Sequence, residues 1–284
     1  MIQHIHRILF LGALVLGHAG AAFGQEVVQV ARQDERRVSI TTYVPKVGDC
    51  RGVATISPGA GGSEQGYRYL GEAMSSLGYL TSVIGHPESG PQTLRELSRS
   101  IGLREGLAEL ITDPEAYRAR FMDIAAARDW AKDRCKASES LLIGHSMGAA
   151  TVMMEAGAKN KLGVQGADAF AAYIALSPQG SGTIFPENAW SGISKPILIL
   201  TGTRDSELGG ASWETRTEPF NHMPKGCKWL GVIDGASHLN FAGKGMSRNT
   251  EALTALTIGN FLNALDRGDC RSRGRLQGME LTTK

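Results

Sequence analysis

The chain has 284 residues, 42% of them hydrophobic and 20% charged, enough for one large domain around a substantial core and too apolar for a disordered polymer. Thirty basic against 28 acidic residues leave a formal net charge of +2, no field that would recruit DNA or RNA, and no run of like charge that would make a tail. Thirty-six glycines without a collagen-like period point to a fold of tight turns and close helix-to-strand contacts, which is an α/β character.

Residues 1–24 carry His4, His6 and Arg7, then the apolar stretch Ile8 to Leu16, then the small residues Ala19, Gly20, Ala21 and Ala22. This order reads as a secretory signal peptide, with Ala22-Phe23-Gly24 supplying the small-residue spacing for cleavage near Gln25. The apolar stretch falls short of the roughly 20 residues that cross a bilayer, so no stable membrane insertion is expected after cleavage. The alternative is an uncleaved N-terminal anchor. The expected mature chain, 25–284, is a single secreted or periplasmic domain, where Cys50, Cys135, Cys227 and Cys270 can form disulfides in any of three connectivities. Their spacing matches no zinc site, since no C-x-x-C is present.

Val27 to Ala31 and Arg37 to Val44, rich in β-branched residues and bounded by Pro45 and Gly48, predict a first hairpin. The rhythm then changes to strand and helix in turn. Gly52 to Ser57 is a short apolar strand, Gln65 to Leu77 an amphipathic helix stopped by Gly78, and Leu80 to Ile84 another strand. Between Ile84 and Ser140 there is room for two helices. Pro91 to Ile111 carries Leu94, Leu97, Ile101, Leu107 and Leu110 on a broken stripe, and Asp113-Pro114 caps a helix running to about Lys132. The first of these either covers part of the site's mouth or packs on the sheet edge. Further strands are Ser140 to Gly144, Ala171 to Ser177, Pro196 to Thr201 and Lys228 to Asp234, with helices at Thr151 to Ala158 with its preceding turn, Ser212 to His222 and Thr250 to Leu265. Eight strands result, and the alternation builds a mostly parallel sheet flanked by helices.

Gly144-His145-Ser146-Met147-Gly148 is a G-x-S-x-G run between an apolar strand and a helix that opens on small residues. Such a turn strains the serine backbone and needs glycine wherever a Cβ would strike a neighbouring element. Ser146 is the candidate nucleophile. A serine hydroxyl needs an imidazole to take its proton, and of His86, His145, His222 and His238 only His238 lies in a loop just beyond a late strand, in Gly235-Ala236-Ser237-His238-Leu239. His145 is expected to point away from the nucleophile and to pack. The imidazole needs a carboxylate on its other nitrogen; Asp205, in Gly202-Thr203-Arg204-Asp205, is favoured over Asp234, which also ends a strand. Backbone donors for an oxyanion are expected at Met147 and, in the glycine-rich Pro58-Gly59-Ala60-Gly61-Gly62, at Ala60. That loop lacks the lysine of a phosphate-binding G-x-x-x-x-G-K-[ST]. Tyr67, Ile184, Phe185, Trp190 and Phe241 are candidates both for pocket lining and for core. The cluster from Trp213 through Arg216 to Phe220 is assigned to helix packing.

The order of these pieces resembles the α/β-hydrolase fold, in particular its dienelactone-hydrolase-like and platelet-activating-factor-acetylhydrolase-like esterases. The likeness is carried by the elbow, by Ser57-Pro58-Gly59-Ala60-Gly61-Gly62, by Gly202-Thr203-Arg204-Asp205 and by Gly235-Ala236-Ser237-His238, and it covers nearly all of the mature chain. Cutinases share the general layout, although no stretch singles them out. The resemblance implies the order Ser146, Asp205, His238 for a catalytic triad, acyl transfer to water from a small-molecule ester, no metal or organic cofactor, and a monomer. It also implies neighbouring strands after Cys50 and Cys135, which favours Cys50 with Cys135 and Cys227 with Cys270. Two departures matter: Pro58 stands where the family commonly has histidine, and Ser146 where dienelactone hydrolase has cysteine, so that enzyme's lactone substrate is not carried over. A triad-based peptidase, thioesterase or acyltransferase, and a non-catalytic binding protein on the same fold, are the alternatives.

Overall fold

The computed structural model describes residues 25–46, 48–271 and 276–284; the expected signal peptide lies outside them. Nine strands form one sheet in the order β1-β2-β4-β3-β5-β6-β7-β8-β9. In chain order the strands are β1 (Glu26–Ala31), β2 (Arg37–Tyr43), β3 (Gly52–Ser57), β4 (Tyr79–Gly85), β5 (Glu139–His145), β6 (Ala172–Leu176), β7 (Ile197–Arg204), β8 (Lys228–Ser237) and β9 (Met279–Thr283). Strands β3 to β8 run parallel, while β1, β2 and β9 pair antiparallel at the two ends. The central strands β3 and β6 are buried along their whole length, as a sheet covered on both faces requires.

The helices are α1 (Arg68–Ser76), α2 (Pro91–Ile101), α3 (Leu103–Thr112), α4 (Pro114–Arg134), α5 (Met147–Glu155), α6 (Glu218–His222) and α7 (Arg248–Asp266). On one face Tyr117, Ile124 and Ala127 of α4 and Val152 and Met153 of α5 pack into one apolar cluster. On the other, Leu70 and Met74 of α1 and Ile258 and Phe261 of α7 pack into a second. Asp113 caps α4 as its sequence predicts, its carboxylate accepting from the Glu115 amide at 2.8 Å. Among the described residues no helix is long and apolar enough to cross a membrane.

Four details differ from the sequence reading. A ninth strand, β9, closes the sheet beside β8; its pattern of partial and full exposure belongs to an edge and carries little apolar signal. The helix expected over Pro91 to Ile111 is two, broken at Gly102, whose φ of 95° no helix admits. The helix after the elbow takes in the turn before Thr151, beginning at Met147, and ends at Glu155 rather than Ala158. The segment 213–222 is a 3₁₀ turn followed by the short α6.

Cys50 is bonded to Cys135 and Cys227 to Cys270. This is the pairing favoured by adjacency of β3 and β5. Both disulfides sit at or near the amino ends of the parallel strands, away from the carboxyl rim that carries the candidate site.

Candidate active site

Parallel strands end on one rim, and six polar side chains stand at or directly after those ends: Ser57 on β3, His86 after β4, Ser146 after β5, Ser177 after β6, Asp205 after β7 and His238 after β8. At the elbow Ser146 has φ 56° and ψ −117°. Both flanking glycines are required: a Cβ on Gly144 would lie 2.1 Å from the Gly148 carbonyl oxygen, and one on Gly148 would lie 2.0 Å from that of Ser57. The strained turn lets α5 begin against β3 with the serine at its crest.

Ser146 Oγ lies 2.9 Å from His238 Nε2, and His238 Nδ1 lies 2.9 Å from Asp205 Oδ1. An ionised Asp205 can only accept, so Nδ1 carries the proton and Nε2 is free to accept from the Ser146 hydroxyl. The His238 side chain is 31% exposed, and Asp205 is fully buried. Asp234, the competing carboxylate, instead accepts from the Thr203 hydroxyl at 3.2 Å on the surface.

Asp205 is held by more than the imidazole. The hydroxyls of Thr201, at 2.9 Å, and Ser177 donate to Oδ2, and the buried Arg216 guanidinium sits 3.0 Å from Oδ1. Arg216 also donates to the backbone oxygens of Asp205, at 2.6 Å, and of Ser177 and Pro178, at 3.1 and 3.0 Å. Burial lowers its pKa from the ordinary arginine value, with the Asp205 charge opposing. Arg216, expected from sequence to serve helix packing, instead ties the turn after β7 to the turn after β6.

His145 is also corrected. Rather than pointing away as a packing residue, it places its ring 4.8 Å from that of His238 and makes a polar contact through each nitrogen. Its Nε2 donates to the His238 carbonyl at 3.0 Å, and its Nδ1 accepts from the Tyr67 hydroxyl at 2.8 Å. Tyr67 in turn accepts from the Gly59 amide at 3.0 Å. Burial, then repulsion from His238, keeps His145 well below the usual histidine range, and burial pushes the Tyr67 phenol up to about 12. Two neutral rings thus bridge the glycine-rich loop and the backbone of the histidine loop.

The glycine-rich loop approaches Ser146: a Cβ on Gly59 would lie 3.2 Å from Ser146 Cβ. Gly61 adopts φ 69° and donates to the Ser89 carbonyl at 2.9 Å. The Ala60 amide has no acceptor among the described residues. Met147 is the first residue of α5, so its amide has no partner within the helix. Both expected oxyanion donors are therefore uncommitted. The five candidate lining residues behave differently: Tyr67, Ile184, Phe185, Trp190 and Phe241 are all buried in the two main clusters, where large apolar side chains recover the most area. They are core, and Tyr67 reaches the site only through its hydroxyl.

Comparison of the whole chain with solved structures finds the esterase Pf2001 of Pyrococcus furiosus at a TM-score of 0.56 and 17% identity, covering 85% of this chain and 92% of that one. Est1E of Butyrivibrio proteoclasticus aligns at 0.57 and 17%, covering 85% and 99%. The chain has the α/β-hydrolase fold. Among curated proteins, cutinase est2 of Thermobifida alba is 28% identical over 200 residues, 70% of this chain and 56% of that protein. Cutinase 1 of Thermobifida cellulosilytica is 28% identical over 200 residues, 70% of this chain and 64% of that protein. The chain thus spans between about half and two thirds of these relatives. No family model matches.

Proposed function

We propose that this α/β-hydrolase chain is a carboxylic ester hydrolase in which Ser146, His238 and Asp205 form a catalytic triad. The observation that carries the reading is the strained Ser146 with Oγ 2.9 Å from an imidazole whose other nitrogen is fixed by a buried carboxylate. Ser146 Oγ attacks the ester carbonyl as His238 Nε2 takes its proton, and the negative oxygen of the tetrahedral intermediate faces the Met147 and Ala60 amides. The carbon–oxygen bond to the alcohol then breaks, with His238 returning the proton to the leaving oxygen. Water, deprotonated by His238, attacks the acyl-serine; collapse releases the acid and restores Ser146.

The esterase and cutinase names of the similar proteins support an ester over an amide or thioester substrate. The two disulfides support a secreted or periplasmic location for a monomeric, single-domain mature chain 25–284. The curated relatives are cutinases, which weighs against carrying over the finer dienelactone-hydrolase-like or platelet-activating-factor-acetylhydrolase-like assignment. The test is a panel of aryl esters of graded acyl length, with Ser146→Ala as control. Wild type is expected to turn over short or medium acyl chains, and the variant to lose at least about a thousandfold in rate. Equal rates would overturn the assignment of the nucleophile.

A further inference from the structure

Beneath loop 58–62 lies a second buried polar cluster that the proposed reaction does not touch. Ser57, His86, Arg120 and Asp123 are all nearly or fully buried, the last two one turn apart on α4. Asp123 accepts from Arg32 at 3.0 Å and from His86 Nδ1 at 2.8 Å. His86 Nε2 accepts from the Ser57 hydroxyl at 2.8 Å. Burial, reinforced by the Arg120 charge, keeps His86 neutral, well below the usual histidine range.

Arg120 stands apart from the other buried arginines. Arg32 and Arg216 each contact a carboxylate, whereas no ion pair among the described residues includes Arg120. Its guanidinium is committed to neutral oxygens: Nε donates to Ser89 Oγ at 2.8 Å, Nη1 to the Pro58 carbonyl at 2.7 Å and to Ser57 Oγ at 3.2 Å, and Nη2 reaches the Gly59 carbonyl at 3.5 Å. Although burial lowers its pKa to about 10, it stays cationic at neutral pH. A buried cation with no counter-charge in contact is costly, and its N–H groups converge on the loop that approaches Ser146.

The geometry bears on one peptide above all. A trans peptide points its C=O and its N–H in opposite directions. The Gly59 carbonyl points inward, shared between the Gly62 amide at 3.0 Å and Arg120 at 3.5 Å, which turns the Ala60 N–H outward, where it has no acceptor among the described residues. A cation at the carbonyl end also polarises the amide and strengthens its N–H as a donor. We propose that Arg120 is a positioning residue for the oxyanion hole: its guanidinium holds the Pro58 and Gly59 carbonyls and thereby aims and polarises the Ala60 amide. Ser57, itself bonded to His86, accepts from that guanidinium, and Ser89 accepts from it through Oγ while its carbonyl accepts from Gly61.

The inference rests on the triad reading and separates from it experimentally. Because the oxyanion exists only in the transition state, losing Arg120 lowers kcat and leaves KM nearly unchanged, a split that a merely structural role would not produce. The experiment measures kcat, KM and the pH–rate profile on one aryl ester for wild type, Arg120→Met, Arg120→Lys and Ser89→Ala. Rates are normalised to active sites titrated with a fluorophosphonate. Arg120→Met is expected to lose about tenfold to a hundredfold in kcat per labelled site, with KM within about threefold and the pH midpoint of the rate unmoved. Arg120→Lys should recover part of the loss, and Ser89→Ala should show a few-fold deficit. Should Arg120→Met not fold, the same readings on the two milder variants decide. Wild-type kcat per labelled site, or a loss confined to KM, overturns the inference. Hydrolysis that survives in Ser146→Ala would overturn the triad reading itself.

Discussion

A serine, a histidine and an aspartate are hydrogen-bonded in a row twice in this chain. Ser146 to His238 is 2.9 Å and His238 to Asp205 2.9 Å; Ser57 to His86 is 2.8 Å and His86 to Asp123 2.8 Å. Distances alone do not separate them, but their surroundings do. Ser146 sits on a turn with φ 56°, with the uncommitted Met147 amide next to it and a base that is 31% exposed. Ser57 is the last residue of a fully buried strand, with His86 almost as completely buried, and its hydroxyl also accepts from Arg120. The first row has access and a place for developing charge. The second has neither. A triad is therefore recognised by its strain and exposure as much as by its atoms.

Substitution breaks this comparison most sharply at the serines. Ser57→Ala is expected to keep activity within about tenfold of wild type on the ester panel, against the thousandfold or larger loss for Ser146→Ala. Matching losses in the two variants would erase the distinction. Asp205→Asn removes the acceptor that fixes the His238 tautomer and is expected to cost about a thousandfold or more in kcat, with circular dichroism unchanged. An Asp205→Asn protein that keeps a tenth of its activity would return the third triad position to open contest.

Stability against pH gives a smaller effect. His86 and His145 are buried and neutral, so as pH falls through 6.5 the unfolded chain takes up protons that the folded chain refuses, and stability is lost. Asp123 runs the other way. Burial pushes it up to about 7, so between 3.8 and that value the folded chain holds a proton that the unfolded chain has released. Two groups against one predict a stability that falls from pH 7 to pH 5, by up to about 1.4 kcal/mol per pH unit for one net proton, read as a falling melting temperature. A rise over that interval would contradict the pairing of neutral histidines described here.

Much of the fold is legible because its strands are contiguous β-branched and apolar runs separated by amphipathic helices, and because Asp113-Pro114 and Gly78 punctuate those helices where the backbone demands it. β9 escapes because an edge strand half exposed to water carries no apolar run. Ser146, His238 and Asp205 are legible for a related reason: each directly follows a strand end, so sequence position fixes the rim on which it sits. His86 obeys the same rule, and that placement is the signal that could have found it. Arg120 and Arg216 are not legible this way. They lie mid-element, and what makes them matter is contact across 62 residues with Pro58 and 39 with Ser177. The aromatic candidates fail for the opposite reason, since a large apolar side chain has the same signature in a pocket wall and in a core.

The central claim is that only the exposed, strained row performs chemistry. It is tested most directly by treating the folded protein with a fluorophosphonate and mapping the adduct by peptide mass spectrometry. The account predicts one phosphonyl group per chain, on Ser146, lost in His238→Ala and retained in Ser57→Ala. An adduct on Ser57, or folded protein that takes up no label at Ser146, would contradict it.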